Sequence, residues 1–144
     1  MIHIFINSKG KIKRKLLLII ASYSYPRILQ KVSVPVISPE QCAAYYVNVA
    51  RPILESHICI GFKNGSYGAC YGDSGGPVVR KVDGLYYELL GLVSWSYGCA
   101  RANYPAVNTR IPLYLNFLNA SINQVQNIGG NVLLNCIKKL VIII

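Results

Sequence analysis

The eight residues Cys70-Tyr71-Gly72-Asp73-Ser74-Gly75-Gly76-Pro77 constrain this chain more than any other stretch. A serine hydroxyl becomes a useful nucleophile where it protrudes and where backbone N–H groups face the oxyanion that its attack creates. Glycines at 72, 75 and 76 give the backbone the tight turn and close ligand approach that this requires. A glycine-rich turn with an incidental serine is the plain alternative. The residues that follow fix the context. Pro77-Val78-Val79 is β-rich, and Asp83-Gly84 is a hairpin signal between Lys81-Val82 and Leu85-Tyr86. The serine therefore leads into a pair of strands.

That context separates two enzyme classes. Gly72-Asp73-Ser74-Gly75-Gly76 also fits G-x-S-x-G, the nucleophile elbow of α/β-hydrolases, but that elbow must run from a strand into a helix. The longer string Cys-x-Gly-Asp-Ser-Gly-Gly-Pro resembles the nucleophile loop of the chymotrypsin/trypsin family of serine proteases, and the likeness is confined to that family's C-terminal half. The resemblance covers residues 28–122. It implies an all-β fold, the incomplete second β-barrel of a two-barrel protease, short of its first strand and closed by a C-terminal helix. It also implies peptide hydrolysis through a serine acyl-enzyme, a polypeptide substrate, no cofactor and secretion.

A chain of 144 residues holds one domain with a real core but not two barrels. Its composition, 53% hydrophobic and 14% charged, excludes disorder. The net charge of +10 suggests nucleic-acid binding until it is located. Residues 28–122 hold seven basic residues and all five acidic ones, a net of +2, so the excess sits at the two ends. No nucleic-acid face is expected. Residues 1–27 and 123–144 share an Ile/Lys/Leu bias and lie outside the resemblance. They read as an unmatched basic and apolar N-terminal segment and an unmatched tail. The run Leu16–Ala21 is short for a secretory signal and has no A-x-A site after it; it is far too short to span a bilayer.

From Ile28 onward the pattern is regular. Leu29–Val36 alternates as a strand that Pro35 places at an edge or an end. Ser38-Pro39-Glu40-Gln41 reads as a capped helix start that carries Cys42 to about Tyr46. Further strands fit His57–Gly61, Pro77–Val82, Leu85–Trp95 and Ala106–Arg110, and Pro112–Ile122 has helical spacing at Leu115, Leu118 and Ile122.

Four of the five cysteines lie within 28–122 and allow three connectivities. The resemblance implies Cys42 with Cys59 and Cys70 with Cys99, leaving Cys136 unpaired. No pair has C-x-x-C spacing, and only His3 and His57 could assist, so no metal site is expected. Disulfides imply an oxidising compartment, and the sequons at Asn64 and Asn119 agree with secretion.

The resemblance also assigns roles. Ser74 is the nucleophile, and the N–H groups of Gly72 and Ser74 form the oxyanion hole. Asp73 is the acid that pairs with a newly released amino terminus in active relatives. Ser94, Trp95 and Ser96 form the wall against which a substrate adds as a β-strand. Gly68 forms the pocket base, where trypsin-like members hold an aspartate, and Ser96 and Ala106 replace wall glycines. These substitutions imply a somewhat narrowed, uncharged pocket.

The triad is where the pattern stops. The template order is His, Asp, Ser, with the histidine about 140 and the aspartate about 90 residues ahead of the serine. Only 73 residues precede Ser74, and both aspartates, Asp73 and Asp83, lie in or after its loop. His57 falls on a strand just before Cys59, where the family carries an ordinary strand residue. The chain alone is therefore expected to be inert. The alternative is a non-catalytic homologue that binds a peptide or a partner.

Overall fold

A computed structural model describes residues 2–6, 27–84 and 86–127. Seven antiparallel strands form one sheet in the order β2-β1-β5-β6-β7-β4-β3. They are β1 Ile2–Ile6, β2 Gln30–Val34, β3 Val36–Ile37, β4 His57–Ile60, β5 Pro77–Val82, β6 Tyr86–Trp95 and β7 Ala106–Arg110. The two outer strands, β2 and β3, are consecutive pieces of one stretch, separated only by Pro35. Proline has no N–H to give to a ladder and breaks the run there. The sheet must therefore curl until its first and last strands meet at that residue, and the Gly61 N–H donates to the Pro35 carbonyl across the join (3.0 Å). This is a barrel-like all-β fold of the expected class, with a C-terminal helix.

Each element has a local cause. Asp83 and Gly84 both take positive φ (48° and 74°) in the three-residue connection that joins β5 to β6. Helix α1, Pro39–Tyr45, begins as its sequence dictates: the Ser38 hydroxyl accepts from the Gln41 N–H, and proline occupies the first turn. Helix α2 spans Leu115–Asn127 after a 3-10 turn over Ile111–Tyr114. It starts later than the spacing suggested, because Pro112 sits in that turn. Leu115, expected on a buried stripe, is 51% exposed.

The largest departure from the sequence reading is β1. The sequence resemblance spans 28–122 and leaves Ile2–Ile6 in the unmatched N-terminal segment. They form an internal strand between β2 and β5, with Ile4 opposite Val32 on one side and Val78 on the other. The alternating apolar residues explain this: Ile2 and Ile4 face the core, while His3 faces out and bonds the Ser33 hydroxyl (2.8 Å). The run Leu16–Ala21 and Cys136 lie outside the described residues.

Two apolar clusters fill the fold. Ile2, Ile4, Val34, Ile60, Ala69, Val78 and Val93 pack in the concave interior. Cys42, Tyr46, Cys59 and Val107 pack where α1 covers the outside of β4 and β7. The disulfide Cys42–Cys59 ties α1 to β4, and Cys70–Cys99 ties the serine loop to the segment after β6. No helix among the described residues is long and apolar enough to cross a membrane.

Candidate active site

The loop between β4 and β5 carries Ser74, and its backbone explains its glycines. Gly72 and Gly75 have φ of 90° and 79°, values that L side chains rarely adopt. At Gly76 a Cβ would stand 2.8 Å from the Asp73 carbonyl oxygen, so only glycine fits. The loop closes on itself, with the Asp73 N–H donating to the Cys70 carbonyl (3.1 Å) and the Gly76 N–H to the Asp73 carbonyl (2.9 Å). It is also stapled to β6 at one residue: the Gly75 N–H donates to the Val93 carbonyl (2.8 Å), and the Val93 N–H to the Gly76 carbonyl (2.9 Å). Asp73 is buried, and its carboxylate accepts from the Cys70 N–H (2.8 Å).

This framework leaves the Ser74 side chain exposed on a cleft of about 220 Å³. Its hydroxyl makes no hydrogen bond among the described residues, so its lone pairs and proton are free for a ligand. The cleft also takes in Ser94, Trp95, Ser96 and Ala106, and the disulfide Cys70–Cys99 forms one side of it. Residues some thirty positions apart thus face one space, because β6 and β7 are paired neighbours and the serine loop is bonded to β6. Gly72 adjoins the cleft between Tyr71 and Asp73. Gly68 lies one residue before Ala69, which lines the cleft. Gly68 itself borders a smaller cavity behind the wall, 3.7 Å from Ala100 as measured from the position of an added Cβ.

Among the described residues the cleft carries no charged side chain: Ala69, Val93 and Ala106 line it with the serines and the wall aromatics. The Ser96 hydroxyl donates to the Gly98 carbonyl (2.5 Å). Trp95 works on two sides. It lines the cleft, and its ring packs edge-on against Tyr46 at 5.1 Å, in the cluster beneath α1. Tyr46 is fixed in turn by donating its hydroxyl to the Pro105 carbonyl (2.6 Å), and burial raises its phenol above the ordinary tyrosine range.

His57 is not among the residues lining the cleft. It sits on β4, its ring edge-on to Trp95 at 6.1 Å, and its Nδ1 accepts from the Leu54 N–H (3.1 Å). Burial lowers its pKa. Two features escaped the sequence reading. Tyr71, at the free position of the motif, is 65% exposed at the cleft mouth, where its neighbours Cys70 and Gly72 could have pointed. Arg51, whose guanidinium lies over the Trp95 ring at 5.3 Å, has no local signal at all.

Comparison with known proteins covers the stretch of chain that forms this cleft. The sequence model described as Trypsin matches residues 20–118. Trypsin-1 of Astacus astacus is 43% identical over 96 residues, covering 67% of this chain and 39% of its own length. Trypsin of Sus scrofa is 42% identical over 99 residues (69% and 39%), and Trypsin Blo t 3 of Blomia tropicalis 45% over 96 residues (66% and 34%). The chain thus spans between a third and two fifths of the length of these relatives.

Proposed function

The chain belongs to the trypsin family of serine proteases, and from that membership we propose that it carries the nucleophile half of a serine-type endopeptidase. The observation that carries the reading is the exposed Ser74 hydroxyl, without a hydrogen bond among the described residues, on a cleft whose facing wall is Ser94–Ser96. Ser74 Oγ attacks the scissile carbonyl carbon, and its proton passes to a base. The tetrahedral oxyanion rests on the N–H groups of Gly72 and Ser74, the amine leaves, and water hydrolyses the acyl-enzyme. A polypeptide lies along Ser94–Ser96 as an added strand. The two disulfides agree with an oxidising compartment, and secretion is the localisation proposed.

The base and its orienting acid are not among the residues lining the cleft, and His57 already spends its Nδ1 on Leu54. Without a base Ser74 remains an ordinary alcohol, and loss of the histidine alone in a different serine protease costs about 10⁶ in turnover. The 144-residue chain by itself is therefore expected to be inactive. A non-catalytic homologue that binds peptides on the same wall is the second reading, favoured by that same lack.

Labelling by a fluorophosphonate tests the proposal. The chain alone takes no label. Supplied with the histidine- and aspartate-bearing barrel of a full-length relative, it takes label that is absent in Ser74→Ala. That assembly cuts after Leu or another apolar residue, because no acid at Gly68 or in the cleft offsets the burial of a Lys or Arg side chain. Failure to label with the partner barrel in place sinks the nucleophile assignment. Cleavage chiefly after Arg sinks the specificity. Labelling of the chain alone that is lost in His57→Ala would make His57 the base.

A further inference from the structure

The wall opposite Ser74 is uncharged, yet it is flanked by cations held on its aromatic rings. The Arg51 guanidinium lies over Trp95, 5.3 Å from the ring centre. Beyond it, the Arg101 guanidinium lies over both Tyr97 and Tyr104, 4.9 Å from each. A guanidinium stacked on a ring is pre-ordered and keeps its in-plane N–H groups free to pair with a carboxylate.

The protein's own carboxylates are elsewhere. Of the five, Asp73 is buried in the serine loop, and Glu88 pairs with Arg80 on the β5–β6 hairpin. Asp83 is in the hairpin turn, Glu40 is in the first turn of α1, and Glu55 follows Arg51 in the connection to β4 without an ion pair among the described residues. None lines the cleft.

We propose that this wall selects polypeptides bearing acidic side chains, with Arg51 as the selecting residue. The inference rests on the reading of Ser94–Ser96 as a peptide-binding edge. A strand laid on that edge points alternate side chains to one face. Those that cross Trp95 meet the edge of Arg51, which forms no ion pair with an acidic side chain among the described residues.

Trp95 is the chain's single tryptophan, so its fluorescence reports the wall directly and without any need for catalysis. Three short capped peptides, identical except for Glu, Gln or Lys at every second position, are titrated into the full chain. The Glu peptide is expected to bind roughly three- to tenfold more tightly than the Gln peptide at low ionic strength, as for partly exposed ion pairs. The difference narrows at about 0.5 M salt. Arg51→Gln removes the preference, and Arg51→Glu transfers it to the Lys peptide. Arg51 is exposed, so neither change disturbs the core. Equal affinity for the Glu and Gln peptides, or a preference that survives in Arg51→Gln, overturns the role of Arg51 and leaves the peptide-binding edge standing. If none of the three peptides perturbs Trp95, the edge itself is refuted, and the selection by charge falls with it.

Discussion

His57 shows how a residue's chemistry follows from its neighbours more than from its type. As a lone histidine in a serine-protease-like sequence it invites the role of base. Its place beside Cys59 argued for an ordinary strand residue, and the structure puts it on β4, off the cleft lining. The Leu54 N–H bonded to Nδ1 requires the proton to sit on Nε2, so the ring is held neutral, and burial lowers its pKa from the ordinary 6.5. His3, half-buried on β1, is lowered too, by burial and then by the nearby charge of Lys31. For both, the unfolded chain binds the proton more readily than the folded one. Stability contributed by the neutral rings is therefore complete above the unfolded value and is lost as pH falls through 6.5 toward the lowered folded values. Thermal melts between about pH 8 and about pH 5 should show a falling midpoint, with a shallower slope in His57→Gln. A midpoint that rises on acidification contradicts this account. Tyr46 and Arg51 were invisible at this scale, because what matters about each is a partner far along the chain: Pro105 and Trp95.

Elements were legible where their signals are local. The Asp83-Gly84 turn, the Ser38-Pro39 helix start and the β-rich runs of β5, β6 and β7 all depend on neighbouring residues, and each stands within a residue or two of its expected place. Pro35, which the sequence places at a strand edge or end, splits the expected strand Leu29–Val36 into β2 and β3. What was missed was β1. Its five residues, four of them apolar, carry a strand pattern, but a basic segment separates them from the rest, and their partners lie on β2 and β5. Pairing at such range leaves no trace in a sequence window. The structure makes β1 indispensable: Ile4 is completely buried in the interior cluster and lies in register with both neighbours. Ile4→Ala should therefore cost about 2–5 kcal/mol in urea unfolding, as for other buried large-to-small changes. Amide hydrogens in β1 should exchange as slowly as those of β5 in the wild type. Fast exchange in Ile2–Ile6 together with a negligible effect of Ile4→Ala would return that strand to the unmatched segment where the sequence reading left it.

At the scale of the whole molecule, the serine loop is held by a fold with two apolar clusters and several exposed large apolar residues. The cleft exists because the curl of the sheet brings β6 and β7 together at the loop, and the disulfide Cys70–Cys99 locks that approach. The outside is less finished. Leu113, Leu115 and Phe117, on the 3-10 turn and the start of α2, are 47%, 51% and 66% exposed, and Tyr114 beside them is 38% exposed. Four such residues in a run of five expose apolar surface of the kind that drives association. Positive charge at the chain ends opposes contact between copies, but that repulsion is screened within about 8 Å at physiological salt, whereas burial of apolar surface is not. The two effects therefore separate with ionic strength. Light scattering should show a mass that rises with concentration and rises further with added salt. The double change Leu115→Gln with Phe117→Ser should bring it back toward the monomer. Both residues are exposed, so melting of the double variant should stay close to that of the parent, which distinguishes a surface effect from unfolding. A parent chain that remains monomeric at all concentrations and salts would mean that this surface is too small, or too well shielded by its neighbours, to bind a second copy.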